Sequence, residues 1–449
     1  MTVEPKTWAV PGDADIRAIL VDRIDVQHRG VGAVVGVVDA LGRRIIAHGE
    51  MRKGEGRAAN ADTVFEIGSI TKTFTSLLLA DMTQRGEVAP DDPVGRHLPA
   101  GVKMPSRGGR QITLIDLATH TSGLPRMDTD FGRADVGKAY VGYSVDQLYR
   151  FLGGHTLRRD IGERYEYSNL GVGLLGHVLA LRAGVDFDTL VRRRIAGPMG
   201  MSDTAIALSP SQRARLAVGH DAGFQPLPDF NAPTLAGSGA LRSTARDLLT
   251  FLAAELGFVE TPLRAAMSAQ LVPRRPGQPE GTLAAPGWFI SVLGGKEVVW
   301  NGGTRLGYRC FLGFDAAARA GVVVLTNSLA GRLGDNLGLH LLAGTQLRPQ
   351  RGCTALCPDV LERYVGRYKF RTSALSVTRD GDRLLAQSTN HAGAPTHPIL
   401  EIYPDSPTHF FCEWIAVDYS FEADPAGGFN SVVMHSGGRD TLGRRLPEA

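Results

Sequence analysis

Ser69, Ile70, Thr71 and Lys72 form an S-x-x-K run at the head of a segment whose apolar residues, Ile70, Phe74, Leu77, Leu78 and Met82, recur at helical spacing. Three residues is close to one helical turn, so Lys72 lies beside Ser69 on one face. A serine at a helix N-terminus meets unpaired backbone N–H groups and the positive end of the helix dipole. A lysine partly withdrawn from water in that field holds its proton less tightly and can take one from the serine hydroxyl. The chemistry on offer is nucleophilic attack by a serine. Alone the run says little. With 21 Ser and 7 Lys, about a third of an S-x-x-K arises by chance, and the plain alternative is an N-terminal serine with a solvated lysine.

Two further elements lie downstream. Tyr167-Ser168-Asn169 follows the loop Gly162–Tyr165 and opens a segment over 169–182 with helical spacing. A tyrosine there can bring its phenol oxygen to a nucleophile, and an amide two residues on can grip a substrate carbonyl. Alternatively, Tyr167 packs the helix end and Asn169 caps it. Trp300-Asn301-Gly302-Gly303-Thr304 ends a predicted strand. Paired glycines let a backbone N–H approach a ligand closely, which an oxyanion hole beside the Ser69 N–H requires, although an ordinary β-turn uses the same residues. His120 reads as a hydrogen-bonded structural histidine, and Asp91-Asp92, with no third ligand nearby, as a solvated turn.

The elements that must position these residues change along the chain. Val31–Val38 and Arg43–Gly49 predict a hairpin buried on one face. Ser69–Arg85 is a helix stopped by Gly86. From Asp91 to about Leu271 the signals are mainly helical, with segments at 114–119, 145–152, 169–182 and 245–256. Strands return at 287–293 and 297–301, on either side of Gly294-Gly295, and at 308–314 and 321–327, followed by a helix over 333–347. The predicted class is α/β in the α+β sense: an antiparallel sheet flanked by helices, with an all-helical subdomain, over residues 1–347. Residues 348–358 read as a linker. Residues 359–449 carry short alternating runs at 364–369, 375–378, 383–387, 409–412, 416–421 and 431–435, which predict a small β-barrel.

A length of 449 residues suits two domains or three. Net charge is +3 with no basic stripe, which argues against a nucleic-acid partner. The cysteines Cys310, Cys353, Cys357 and Cys412 are too few and scattered for a disulfide framework. Cys353 and Cys357 have no matching Cys/His pair, and no HExxH occurs, so neither metal nor cofactor is expected. Residues 1–25 lack an apolar stretch behind basic residues, and no apolar run reaches membrane length. The expectation is a soluble cytoplasmic chain acting on a small molecule, with its oligomeric state unread.

In its order of motifs the sequence resembles the penicillin-recognising serine hydrolases, and within them the group of class C β-lactamases, D-alanyl carboxypeptidases, D-aminopeptidases and esterases. Phe65–Thr73 (FEIGSITKT), Leu117–Pro125 (LATHTSGLP), Tyr165–Gly171 (YEYSNLG) and Ala236–Leu241 (AGSGAL) carry the resemblance. It runs from about residue 25 to 345. Tyr364–Tyr368 and His435–Asp440 resemble the lipocalin-like domain that many two-domain members carry. The resemblance implies Ser69 as nucleophile, Lys72 and Tyr167 as its proton partners, Asn169 orienting the acyl group, and an oxyanion hole of the Ser69 and Gly303 N–H groups. One departure stands out. The third motif usually begins with Lys or His, and here that place is read as Trp300, as in some esterases of the group. Arg305 close behind is a candidate replacement cation. The expected substrate is therefore an ester or small amide; a β-lactam or D-amino-acid peptide, transfer of the acyl group to an amine or alcohol, and an acyl-peptide-binding module without catalysis are the competing readings. Substrate pockets are expected from the loops 125–145 and 271–287.

Overall fold

A computed structural model describes residues 8–128, 142–229, 233–278, 280–347, 356–390, 392–412, 417–423, 428–436 and 439–447. The β-branched run near the N-terminus forms β1 (Gly32–Asp39), which turns back into β2 (Gly42–Gly49). Their sheet partners come only in the last part of the domain: β3 (Arg275–Pro276), β4 (Thr282–Ala285), β5 (Trp288–Leu293), β6 (Lys296–Arg305), β7 (Tyr308–Asp315) and β8 (Ala320–Thr326). All eight form one antiparallel sheet in the order β2-β1-β8-β7-β6-β5-β4-β3. The Gly294-Gly295 turn joins β5 to β6 with both residues at positive φ, the requirement of a tight hairpin.

The sheet is covered on both faces by the expected flanking helices, and β1 is buried on two faces where its hairpin was expected to be buried on one. Val35 and Val37 of β1 and Val322 and Val324 of β8 pack with Ile16 and Leu20 of α1 (Asp13–Val21), a helix that no sequence signal announced. Successive strand residues point to opposite faces. Val34, Val323, Leu325 and Leu312 therefore face the larger core, built with α2 (Thr71–Gln84), α3 (Leu114–Ala118), α4 (Val145–Gly154), α5 (Asn169–Ala183) and α6 (Ala245–Glu255). The last helix, α7 (Leu333–Ala343), returns to the α1 face through Leu337 and Leu341.

Beyond it, eight strands from Gly366–Lys369 to Arg439–Arg445 close into an antiparallel barrel. Strands at Leu400–Pro404 and Arg439–Arg445 join the six predicted runs. Tyr364, Tyr368, Phe410, Phe421 and Phe429 fill its interior, so it is a packed core. Leu227 and Leu329, from outside the barrel, pack against this cluster. Arg383 donates to the carbonyl of Ala222 at 3.2 Å, and Arg29 pairs with Asp382 at 2.7 Å. The predicted linker lies mostly outside the described residues, as does Cys353; Cys310 and Cys412 are buried and Cys357 is exposed. Among the described residues no single helix is long and apolar enough to cross a membrane, and no group of three His, Cys, Asp or Glu is placed to hold a metal.

Candidate active site

Gly68, at φ +58°, opens a 3-10 turn, Gly68–Ile70, that feeds directly into α2. This turn presents Ser69, and one turn later Lys72 lies on the core side of the helix, 1% exposed. Lys72 Nζ donates to Ser69 Oγ at 3.0 Å and to the carbonyl of Ser238 at 2.5 Å. Tyr167 Oη donates to the same Ser69 Oγ at 3.0 Å. Ser69 Oγ is thus gripped from two sides by groups that can each carry its proton.

Burial pushes the Lys72 ammonium below its ordinary value, with Arg126 and Arg305 adding to the effect and Tyr167 opposing it. For Tyr167, burial pulls the phenol up, but the neighbouring Lys72 charge and the hydrogen bonds around Ser69 outweigh it, and the net direction is down. Both groups are thereby brought nearer to giving up a proton.

Tyr167 is held by residues 120–126, all but the last of them in the segment Leu117–Pro125 that carries the family resemblance. Ser168, not Asn169, caps α5: its hydroxyl accepts the Gly171 N–H at 2.8 Å and donates to the Pro125 carbonyl at 2.6 Å. Its own N–H donates to His120 Nδ1 at 3.0 Å, so the neutral imidazole carries its proton on Nε2. Burial, with the charges of Lys72 and Arg126, pushes His120 down to about 3. The imidazole stacks on the Tyr167 ring with centroids 4.6 Å apart. His120 is the structural histidine expected. Asn169 is the first helical residue, and its N–H donates to the Arg126 carbonyl at 3.0 Å. Its side-chain amide has no hydrogen-bond partner among the described residues.

The third motif is placed differently from the expectation. β5 pairs with β6 only over 296–300, so residues 301–305 run on with an edge turned toward Ser69. Along that stretch the pleat decides which side chain faces the nucleophile. Asn301 does: its amide donates to the Ser69 carbonyl at 3.3 Å and to the Gly287 carbonyl at 2.7 Å. Trp300 lies on the opposite face, stacked on Phe311, tilted against Phe289 and donating its indole N–H to Ser291 at 3.1 Å. The place read as Trp300 therefore belongs, by position, to Asn301, one residue on. Gly303 passes so close that a Cβ there would lie 2.0 Å from the Ile67 carbonyl oxygen and 3.3 Å from the Ser69 nitrogen. Gly302 faces α7, against the carboxylate of Asp335.

Arg305 is also reassigned. Its Nε donates to Glu66 Oε2 at 3.1 Å, and its side chain is 10% exposed. Arg242 binds the other oxygen of Glu66 at 2.9 Å. Burial pulls the Glu66 carboxyl up to about 7, against the opposing pull of Arg305 and Arg242. Arg305 thus anchors the end of β6 to the residue three before the nucleophile, while its charge still bears on Lys72. Sequence reasoning gave no role to Glu66, Ser238 or Arg126; the segments FEIGSITKT and AGSGAL contain the first two without singling them out. Of the expected pocket loops, 129–141 lies outside the described residues, while 271–287 contains β3 and β4.

Residues 16–344 match the Beta-lactamase family model, and the chain belongs to that family. It is 33% identical over 239 residues to the D-alanyl-D-alanine-carboxypeptidase/endopeptidase AmpH of Escherichia coli (strain K12), a match that covers 53% of this chain and 61% of that protein. The chain thus spans less than two thirds of that relative's length. It is 25% identical over 454 residues to penicillin-binding protein 4* of Bacillus subtilis (strain 168), covering 94% of this chain and 96% of that one. Among solved structures it is similar to a β-lactamase/D-alanine carboxypeptidase from Yersinia pestis complexed with citrate, at 25% identity and a TM-score of 0.61, over 71% of this chain and 94% of the other. The octameric penicillin-binding protein homologue from Pyrococcus abyssi shares the fold over 96% of this chain and 99% of its own, at 20% identity and a TM-score of 0.65. That likeness extends through the barrel.

Proposed function

We propose that the chain is a serine hydrolase that works through an acyl-enzyme on Ser69, cleaving esters or small amides. The observation that carries this reading is the convergence of Lys72 Nζ and Tyr167 Oη on Ser69 Oγ, each at 3.0 Å. In the first step Oγ bonds to the acyl carbon while its proton passes to the Lys72–Tyr167 pair. The carbonyl oxygen becomes an anion, held by the Ser69 N–H and the β6 edge at Gly303. The bond to the leaving group then breaks, and Tyr167 returns the proton to the departing atom. Water repeats the sequence in reverse and releases the acid. Asn169, at the start of α5, is the group proposed to orient the acyl side chain.

A second reading has the relatives' names in its favour: hydrolysis of peptides ending in D-alanine, or of β-lactams, by the same steps. Intact-mass measurement after mixing with a fluorophosphonate, p-nitrophenyl esters, nitrocefin and D-amino-acid anilides tests both. An adduct on Ser69 with turnover of at least one acyl donor is expected, and an adduct on a different serine would overturn the assignment.

A further inference from the structure

Glu66 takes no part in the steps above, yet it is 3% exposed and contacts from both halves of the site converge on it. It lies in a two-residue ladder, Glu66 opposite Arg242 and Phe65 opposite Ser243. Its Oε2 accepts from Arg305 Nε at 3.1 Å, and its Oε1 from Arg242 at 2.9 Å. Each arginine belongs to a segment that the chemistry needs. Arg305 ends β6, two residues beyond Gly303. The adjacent Thr304 backbone passes so close to Gly68 that a Cβ there would lie 2.7 Å from the Thr304 carbonyl oxygen. Arg242 follows the turn of Ser238, whose carbonyl accepts from Lys72, and the intervening Leu241 carbonyl accepts the Ile67 N–H at 3.0 Å. Arg305 reaches toward that turn as well: its Nη1 lies 3.7 Å from where a Cβ on Gly239 would stand.

We propose that Glu66 is a positioning residue for acyl transfer: its carboxylate holds the end of β6 and the Ser238–Arg242 segment to the strand that leads into Ser69, and so fixes the oxyanion edge and the Lys72 acceptor relative to the nucleophile. This rests on the reading of Ser69 as nucleophile and Gly303 as part of the oxyanion hole. Only the ionised carboxylate offers an acceptor to both arginines. An amide of the same shape turns a donor toward one of the two guanidinium groups, which have no acceptor to give. A protonated carboxyl does the same, and Asp229, bound to the same Arg242 nitrogen at 2.5 Å, stands ready to accept its proton. Burial lifts the Glu66 carboxyl to about 7, against the pull of Arg305 and Arg242. The groups packed around it keep one state between about pH 6 and 8. Burial pushes Tyr308 and Cys310 of β7 up. Burial also lifts Asp229, but its bonds to Glu66, Arg242 and Arg213 outweigh that and hold it well down. The arginines stay charged. As pH falls through about 7, the clamp is therefore lost by protonation of Glu66 itself.

The test follows the β6 edge and the rate separately. Hydrogen exchange over residues 301–307, corrected for the intrinsic effect of pH, is expected to be faster at pH 6 than at pH 8 in the wild type, and fast at both in Glu66→Gln. Glu66→Gln should lower kcat on a good ester about tenfold at pH 8, with KM changed less, because the oxyanion donor is displaced rather than removed. At pH 6 the wild type is itself mostly protonated at Glu66, so the two rates should converge to within about twofold. The same kcat ratio at both pH values overturns the proposal, since a packing role does not titrate. Wild-type exchange over 301–307 that ignores pH also overturns it, and that measurement needs neither a folded variant nor a substrate. Absence of a Ser69 adduct would sink the hydrolase reading alone, and the exchange would still decide whether Glu66 holds the edge.

Discussion

The imidazole of His120 lies face to face with the phenol of Tyr167, 4.6 Å between centroids and 29° between planes, while its Nδ1 accepts the N–H of the residue next to Tyr167. The contact works only for the neutral ring, because a protonated Nδ1 has no lone pair for Ser168. Burial, Lys72 and Arg126 hold the histidine near 3, against an ordinary 6.5. Between those values the unfolded chain binds a proton that the native state refuses. The stabilisation is therefore complete above pH 6.5 and is lost as pH falls toward 3. His120 has φ +58°, a conformation that asparagine tolerates. Replacing it with asparagine removes the titration, so the loss of urea stability between about pH 6.5 and 4.5 should shrink by about 2–3 kcal/mol. Equal losses in wild type and variant would refute this account.

Lys72→Ala and Tyr167→Phe should each lower kcat by about a thousandfold or more, because each removes one holder of the same proton. The double variant should be little worse than either single one, as expected of groups serving one step. Rates that multiply would show two independent roles. Each variant needs only its kcat on one good ester.

Gly303→Ala places a methyl group 2.0 Å from a backbone oxygen, and neither partner is a side chain that can swing aside. The edge of β6 must draw back from Ser69. Loss of one oxyanion donor costs about 10²–10³ in kcat, and that range is expected here with KM affected less. In Gly302→Ala the nearest atoms to the new methyl belong to a side chain, the carboxylate of Asp335, and the loss should be far smaller. Comparable losses in the two variants would contradict the proposed edge.

Arg383 has 1% of its side chain exposed and stands between Asp380, Glu401 and the Ala222 carbonyl. Arg383→Ala strands buried charge at the seam between barrel and sheet. A loss of about 3 kcal/mol is expected, the low end for a broken buried pair because Arg29 remains 3.7 Å from Glu401. Ser69 should still be labelled at low temperature. A variant as stable as the wild type in urea would show that the seam contributes nothing to folding.

Ser69 and Lys72 were legible because their relationship is local: three residues on a helix fix it. Tyr167 became legible through the order of the motifs. Trp300 and Asn301 show where such reading stops. Choosing between adjacent residues of a strand requires knowing which face meets Ser69, and that depends on where β5 ends its pairing with β6. His120, Arg126 and Glu66 act through contacts between segments, and no spacing announces those. The closing barrel strand, Arg439–Arg445, lacks an apolar alternation, and its place is set by its partners on both sides.

The pairing of β1 with β8, Ala33 opposite Thr326 and Val38 opposite Gly321, has a consequence for how the protein is made. On the ribosome, Ser69, Lys72 and Tyr167 all emerge while the central place in the sheet beside β1 is still vacant. The nascent chain carries these three residues long before it carries the β6 edge proposed to hold an oxyanion. Contacts so distant in sequence form late. Release of the chain between Tyr167 and Arg305, the end of β6, would therefore yield a polypeptide with the proposed nucleophile and its proton partners but without the β6 edge, and the sheet closes only when β8 pairs with β1.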